Sequence, residues 1–270
     1  MKIGVIGHMG IVGGAVRHGL ERLGHRVTGC DPRAPASSLA DVLDTEVVFV
    51  CVPTPQGQDG ACQIGVVEDV VAELDKHRYP GVVAIKSTVT PGTTARLYAK
   101  HGGNTRIAFC PEFLRERAAI VDFFEHHDLC VIGTQGAQTT RDAAIIAEAH
   151  GSLPKHVATM GVTEAELCKY FSNVLNALRV VFANEFYEVA QALGADYQAI
   201  KAAMVKRTTI PDVYLDCNDN MRGFGGMCLP KDTAAFAHLV RQLGLDLRLF
   251  EMIVDENRKF RTTVPEGMRS

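Results

Sequence analysis

Cys228 follows the glycine-rich run Gly223-Phe224-Gly225-Gly226-Met227 and opens a predicted helix whose first turn holds Lys231 and Asp232. A helix N-terminus offers free N–H groups and a positive dipole end, which favour the thiolate over the thiol. A thiolate so placed is a nucleophile for an electrophilic carbon. Upstream, Glu166, Lys169 and Asn173 fall at i, i+3 and i+7 and so line one helix face. A second kind of chemistry is written at the N-terminus. A predicted strand ends in Gly7-His8-Met9-Gly10-Ile11-Val12-Gly13, and a helix follows. Glycines there let the backbone turn sharply and approach a pyrophosphate, while the helix end supplies N–H donors. The next strand ends at Cys30-Asp31, where a carboxylate can accept both ribose hydroxyls and would repel a 2′-phosphate, so the pattern favours NAD over NADP. Arg33 lies close enough to weaken that preference. The glycine spacing is one residue longer than the usual fingerprint.

These residues need a scaffold, and the hydrophobic pattern supplies one. Short apolar runs at Lys2–Ile6, Arg26–Cys30, Glu46–Val52, Val82–Lys86, Arg106–Phe109 and Leu129–Ile132 read as strands. Helical patterns lie between them near Val12–Leu23, Val66–His77, Thr93–His101, Arg115–Phe124 and Ala137–Ala149. Alternating strands and helices predict a parallel sheet covered on both faces, with ligands at the carboxyl ends of its strands. From Thr163 to about Leu193 one long helical pattern runs without Pro or Gly, and Thr163 with Glu166 has the form of a capping box. Further helices are expected near Asp196–Lys206, Lys231–Leu243 and Leu247–Phe260, and residues 207–227 read as a loop.

Several segments together carry a family resemblance. They are Val52-Pro53-Thr54-Pro55, the run from Lys86-Ser87-Thr88-Val89 to Thr93, Pro111-Glu112-Phe113-Leu114-Arg115-Glu116, and the run from Gly223 through Cys228-Leu229-Pro230-Lys231-Asp232, with Lys169 and Asn173 on the long helix. In these the chain resembles the UDP-glucose/GDP-mannose 6-dehydrogenase family from Met1 to about Phe260. The resemblance implies α/β architecture: a Rossmann-type doubly wound parallel sheet over residues 1–155, then an all-α central domain over residues 156–270. It also implies oxidation of a primary alcohol to a carboxylate with two NAD reduced per turnover. Cys228 then matches the nucleophile that forms a thiohemiacetal and a thioester. Lys169 and Asn173 match the groups that stabilise charge on the substrate oxygen. Asp232 matches an acid working with the lysine through water, and Glu112 the base for thioester hydrolysis. Thr88 matches a threonine at the reaction centre. Gly7, Met9, Gly10, Ile11, Val12, Gly13, Asp31, Val52, Pro53, Thr54, Ser87, Thr88, Val89 and Glu116 would surround the cofactor. Phe113, Leu114, Arg115, Glu116, Lys169, Asn173, Gly223, Phe224 and Gly225 would meet the substrate. The apolar flank of the long helix resembles the family's dimer contact and implies a homodimer.

The sequence also departs from the family. The stretch from Arg207 to Val213 lacks the arginine that the family directs to a neighbouring subunit's substrate. The sequence stops at Ser270, where the family continues into a second α/β domain that holds the nucleotide. The expectation is an intact chemical centre with weaker nucleotide recognition: a smaller substrate, a sugar on another carrier, or a surface supplied by a second chain. Two other readings remain open. One is a two-domain hydroxyacid-type dehydrogenase with a single hydride transfer. The other is a non-catalytic NAD-binding regulatory subunit.

With 47% hydrophobic and 22% charged residues and a net charge of −3, the chain has no basic stripe and no nucleic acid is expected as partner. No apolar stretch reaches membrane-span length, and Met1-Lys2 leads directly into a strand, so neither a membrane nor a secretory signal is expected and the location expected is cytoplasmic. The eight cysteines form no C-x-x-C pair and the histidines are scattered; the expectation is reduced thiols and no metal.

Overall fold

In the computed structural model, residues 1–137 and 139–260 are described, and the chain divides into two compact units, 1–57 with 62–169 and 58–61 with 170–270. The first unit is a seven-stranded sheet: β1 (Lys2–Ile6), β2 (Arg26–Cys30), β3 (Val47–Val50), β4 (Val82–Ile85), β5 (Arg106–Phe109), β6 (Leu129–Thr134) and β7 (His156–Gly161). Helices α1 (Ile11–Arg22), α2 (Gly65–Lys76), α3 (Thr93–His101), α4 (Ala119–Phe124) and α5 (Thr139–His150) connect them. The strand order is β2-β1-β3-β4-β5-β6-β7. Neighbours pair in parallel except β5 and β6, which meet antiparallel at Phe109 and Gly133. The expected doubly wound sheet is present, with a reversed β6–β7 edge.

The central strands explain the double layer. β3 reads Val-Val-Phe-Val and β4 reads Val-Val-Ala-Ile, and every residue in both is buried. Strands without a polar face must be covered on both sides. Ile3, Val5, Val47, Phe49, Val82, Ala84 and Ala108 face one apolar layer with α1, α4 and α5 residues. Ile6, Val48, Val50, Val83, Ile85, Ile107 and Phe109 face the opposite layer, with α2 and α3 residues. The order reverses between β1 and β3, so the crevice at their carboxyl ends is where a ligand of such a sheet sits.

Three sequence expectations change here. Residues 156–161 form β7, which runs parallel to β6 in full register and extends the first unit past the expected boundary at 155/156. The first unit ends at Lys169, inside the long helix α6 (Val162–Ala192). The capping-box reading of Glu166 also fails. Its buried carboxylate accepts the backbone N–H groups of Gly92 (2.6 Å) and Thr94 (2.7 Å), so it closes the N-terminus of α3 rather than of α6. Burial raises the pKa of this carboxyl group. Glu166→Ala leaves two donors without acceptors. At ~1–3 kcal/mol for each such group, the expected loss is about 2–6 kcal/mol, read by urea unfolding of the full chain. A loss below about 0.5 kcal/mol would contradict the assignment.

The second unit is helical: the remainder of α6, α7 (Tyr197–Met204), α8 (Leu229–Gln242) and α9 (Leu249–Lys259). Its core gathers Val174, Ala177, Val180 and Val181 of α6 with Phe224 and Ile253. Asp196 caps α7 through the N–H of Gln198 at 2.8 Å. No helix among the described residues is long and apolar enough to cross a membrane.

Candidate functional site

At the β1–α1 turn Gly7 has φ +86°, and its N–H donates to Cys30 O at 2.8 Å. A Cβ on Gly7 would lie 2.3 Å from Cys51 O, and one on Gly13 would lie 2.2 Å from Gly7 O. Both positions therefore require glycine. Gly10 caps α1, and Met9 and Ile11 are exposed beside it. The lengthened loop thus still brings bare backbone and a helix N-terminus together, which is the cradle a dinucleotide phosphate needs.

Asp31, at the end of β2, is buried. Its Oδ2 accepts the N–H of Met9 at 3.0 Å, tying the β2 end to the glycine turn. Arg33 donates to both carboxylate oxygens, from Nε to Oδ1 and Nη2 to Oδ2, each at 3.0 Å. The Arg33 guanidinium holds the Asp31 carboxyl well below the usual carboxylate range. Across the crevice, Ser87 Oγ donates to Val50 O and Val52 O, and the Cys62 thiol faces Thr54 O and Thr88 O. These bonds lock the loops after β3 and β4. Val52 and Thr88 are half-buried, Pro53 is exposed, and Val89 is fully buried in the core.

At the end of β5, Glu112 Oε1 accepts from Lys169 Nζ at 3.0 Å and Glu112 O accepts from the same ammonium at 2.8 Å. Glu112 Oε2 accepts the N–H of Leu114 at 2.6 Å. Both charged side chains are more than nine-tenths buried, which demands such pairing. Phe113 lies under the ammonium, 5.8 Å from ring centroid to Nζ. Arg115, expected to meet substrate, forks onto Asp122 with bonds of 2.9 and 2.6 Å and so organises its own turn. Leu114 packs on the core, and Glu116 opens a short 3₁₀ turn.

In the second unit Cys228 is the N-cap of α8, half-buried, with Pro230 in the first turn where a missing N–H costs nothing. Asp232, one turn on, is buried. Its Oδ2 accepts from Asn173 Nδ2 at 2.6 Å and its Oδ1 from Lys231 Nζ at 2.5 Å. One carboxylate thus fixes both the amide on α6 and the start of α8. Lys231 had no role in the sequence reading. Two clamps of the glycine-rich loop were also missed. Asn184 Oδ1 accepts the N–H of Gly223 and Nε of Arg222, while Asn257 bonds both the N–H and the carbonyl of Phe224. Asn184 was findable: it lies eleven residues after Asn173, on the same face, amid an apolar stripe.

Of the expected catalytic residues, Thr88, Glu112 and Lys169 lie in the first unit, and Asn173, Cys228 and Asp232 in the second. Glu112 pairs with Lys169, and Asn173 with Asp232.

Comparison with known proteins gives these residues a context. Residues 33–150 match the NAD binding domain of the UDP-glucose/GDP-mannose dehydrogenase family, and residues 163–259 match the central domain of the same family. A UDP-glucose 6-dehydrogenase of Haloferax volcanii is 31% identical over 88% of this chain and 58% of its own length. Another of Bacillus subtilis is 32% identical over 80% of the chain and 49% of its own length. The chain thus spans about half the length of the curated relatives it matches. Among solved structures, a UDP-glucose dehydrogenase of Pyrobaculum islandicum superposes with a TM-score of 0.83 at 31% identity, over 96% of this chain and 68% of that one.

Proposed function

This chain belongs to the UDP-glucose/GDP-mannose dehydrogenase family, and from that premise we propose that it oxidises the primary alcohol of a sugar nucleotide to a carboxylate, with NAD as oxidant and Cys228 as covalent nucleophile. The observation that carries this reading is the α8 N-terminus, where Cys228 caps the helix and buried Asp232 holds Asn173 and Lys231 in place.

The turn from Gly7 to Gly13 and the Asp31 carboxylate fit NAD and would hold it. When bound, NAD supplies the hydride acceptor. The chain supplies the rest. Lys169 and Asn173 donate to the substrate oxygen as negative charge develops on it. The alcohol loses a hydride and, to solvent, its hydroxyl proton to become an aldehyde. The Cys228 thiolate adds to that carbon, forming a C–S bond. Loss of a second hydride and the hydroxyl proton from the thiohemiacetal leaves a thioester, so two NAD are consumed as hydride acceptors. Glu112 takes a proton from water; the resulting attack breaks the C–S bond and releases carboxylate and thiolate.

Asp31→Ala tests the cofactor half. It removes the ribose acceptor and releases Arg33 toward a 2′-phosphate. The expected result is at least about a tenfold fall in the preference for NAD over NADP, ~1.4 kcal/mol, in a fluorescence binding titration. An unchanged preference would remove Asp31 from the site.

The chain is also proposed to form a homodimer through α6, where Phe171, Phe182, Val189 and Leu193 are all more than half exposed. Sedimentation giving only monomer would reject this. The test of the function is a screen of the chain for NADH release over UDP-sugars, GDP-mannose and free or phosphorylated sugars. Two NADH per sugar nucleotide is the expected result. One NADH per substrate, or release only with other alcohols, would defeat the proposal.

A further inference from the structure

Beneath the sheet, in the layer closed by α5, Cys110 Sγ and Cys130 Sγ lie 3.9 Å apart. The two thiols and a ring nitrogen of His150 all fall within 4.8 Å of one another, and all three residues are buried. Cys110 follows β5, Cys130 is in β6 and His150 ends α5, so twenty residues of sequence separate each from the next and only the fold brings them together.

The histidine is set up as a ligand. Its Nδ1 lies 2.8 Å from Ile146 O. A carbonyl can only accept, so Nδ1 carries the proton. Nε2 is buried with no hydrogen-bond partner. In the neutral ring Nε2 is then the nitrogen with a lone pair to offer. An imidazole with one nitrogen donating to a backbone carbonyl and the other left to offer its lone pair is the arrangement found at metal-bound histidines. The sulfur separation agrees: two metal–sulfur bonds of about 2.3 Å meeting at about 110–120° span about 3.8–4.0 Å.

Charge selects the ion. Lys86 is fully inside this layer, with Nζ 3.3 Å from both Cys110 Sγ and Cys110 O and 5.2 Å from the Phe49 ring centroid. Two thiolates and one ammonium sum to −1. A monovalent ion makes the cluster neutral, whereas a divalent ion leaves a buried positive charge. Thiolate donors suit soft ions.

We propose that Cys110, Cys130 and His150 form a buried site for one thiophilic metal ion, copper(I) in preference to zinc, with Lys86 as the neighbouring countercharge. Binding expels the remaining thiol protons to solvent and involves no electron transfer. Cys110 lies two residues before Glu112, so a bound ion would also tie that strand end to β6 and α5.

The test is an anaerobic titration of the reduced full chain with copper(I) buffered by bathocuproine disulfonate, and separately with zinc. The unaltered chain is expected to hold one more copper(I) than Cys110→Ser/Cys130→Ser, and to show a raised thermal midpoint on loading that this variant lacks. His150→Gln keeps both thiols and covers the case in which the serine pair does not fold. It is expected to bind its tightest copper(I) at least about tenfold more weakly. Equal copper counts in parent and variants, an unchanged affinity in His150→Gln, or tighter binding of zinc would overturn the proposal.

Discussion

Cys228→Ser is expected to bind NAD as the parent does and to lose turnover of sugar nucleotide by at least about a thousandfold, ~4 kcal/mol in the barrier. NAD affinity should survive because the glycine turn and Asp31 belong to the other unit. Turnover should not, because a serine hydroxyl at neutral pH holds its proton far more tightly than a thiol and cannot replace the thiolate. The comparison to run is NADH per substrate and NAD affinity on the same preparation. An active serine protein yielding one NADH would favour single hydride transfer. A protein that binds NAD but, with Cys228 intact, turns over no sugar nucleotide would favour a regulatory role.

The second large effect is at Lys169. Its ammonium is the cationic partner of a buried carboxylate, and removing one member of such a pair leaves the other charged and unpaired. Lys169→Met is expected to destabilise the fold by about 3–5 kcal/mol in urea unfolding and to lower kcat by roughly 100–1,000-fold. Lys169→Met combined with Glu112→Gln should regain most of the stability, because no buried charge is stranded, yet regain none of the activity. Recovery of activity in the double variant would show that neither Lys169 nor Glu112 is needed for turnover. Equal stability of parent and single variant would show that the pair is not coupled.

How much of this could be read from the residues follows from where each signal lives. The first six strands were legible because their apolar runs are local, and Val47–Val50 and Val82–Ile85 are buried end to end. β7 was not legible. His156-Val157-Ala158-Thr159-Met160-Gly161 has only one strand neighbour and no buried residue, so nothing in its pattern separates it from a loop. The reversal of β6 was hidden for a related reason, since strand direction is a property of connections and not of composition. Glu166 was assigned to the wrong helix because its partners lie more than seventy residues away in α3, while a local capping partner stood three residues off.

The candidate site divides in the same way. The glycine turn with Asp31, and Cys228 at a helix start, could be read from spacing and physical chemistry. Lys169, Asn173, Glu112 and Asp232 could be singled out only through resemblance, because a polar seam on a helix is usually a solvated face. Their burial is what distinguishes them. Arg115 looked available for substrate because Asp122, seven residues on, gave no sign of claiming it. The grouping of Cys110, Cys130 and His150 has no spacing signature, which is why the cysteine pattern alone pointed away from metal.

The measurement that most directly tests the central claim is the mass of the Cys228 peptide. Glu112→Gln should form the thioester and hydrolyse it slowly, so an acid quench during turnover, followed by digestion, should find the sugar acyl group on Cys228. Consumption of substrate with Cys228 unmodified, or the acyl group on a different cysteine, would contradict the account.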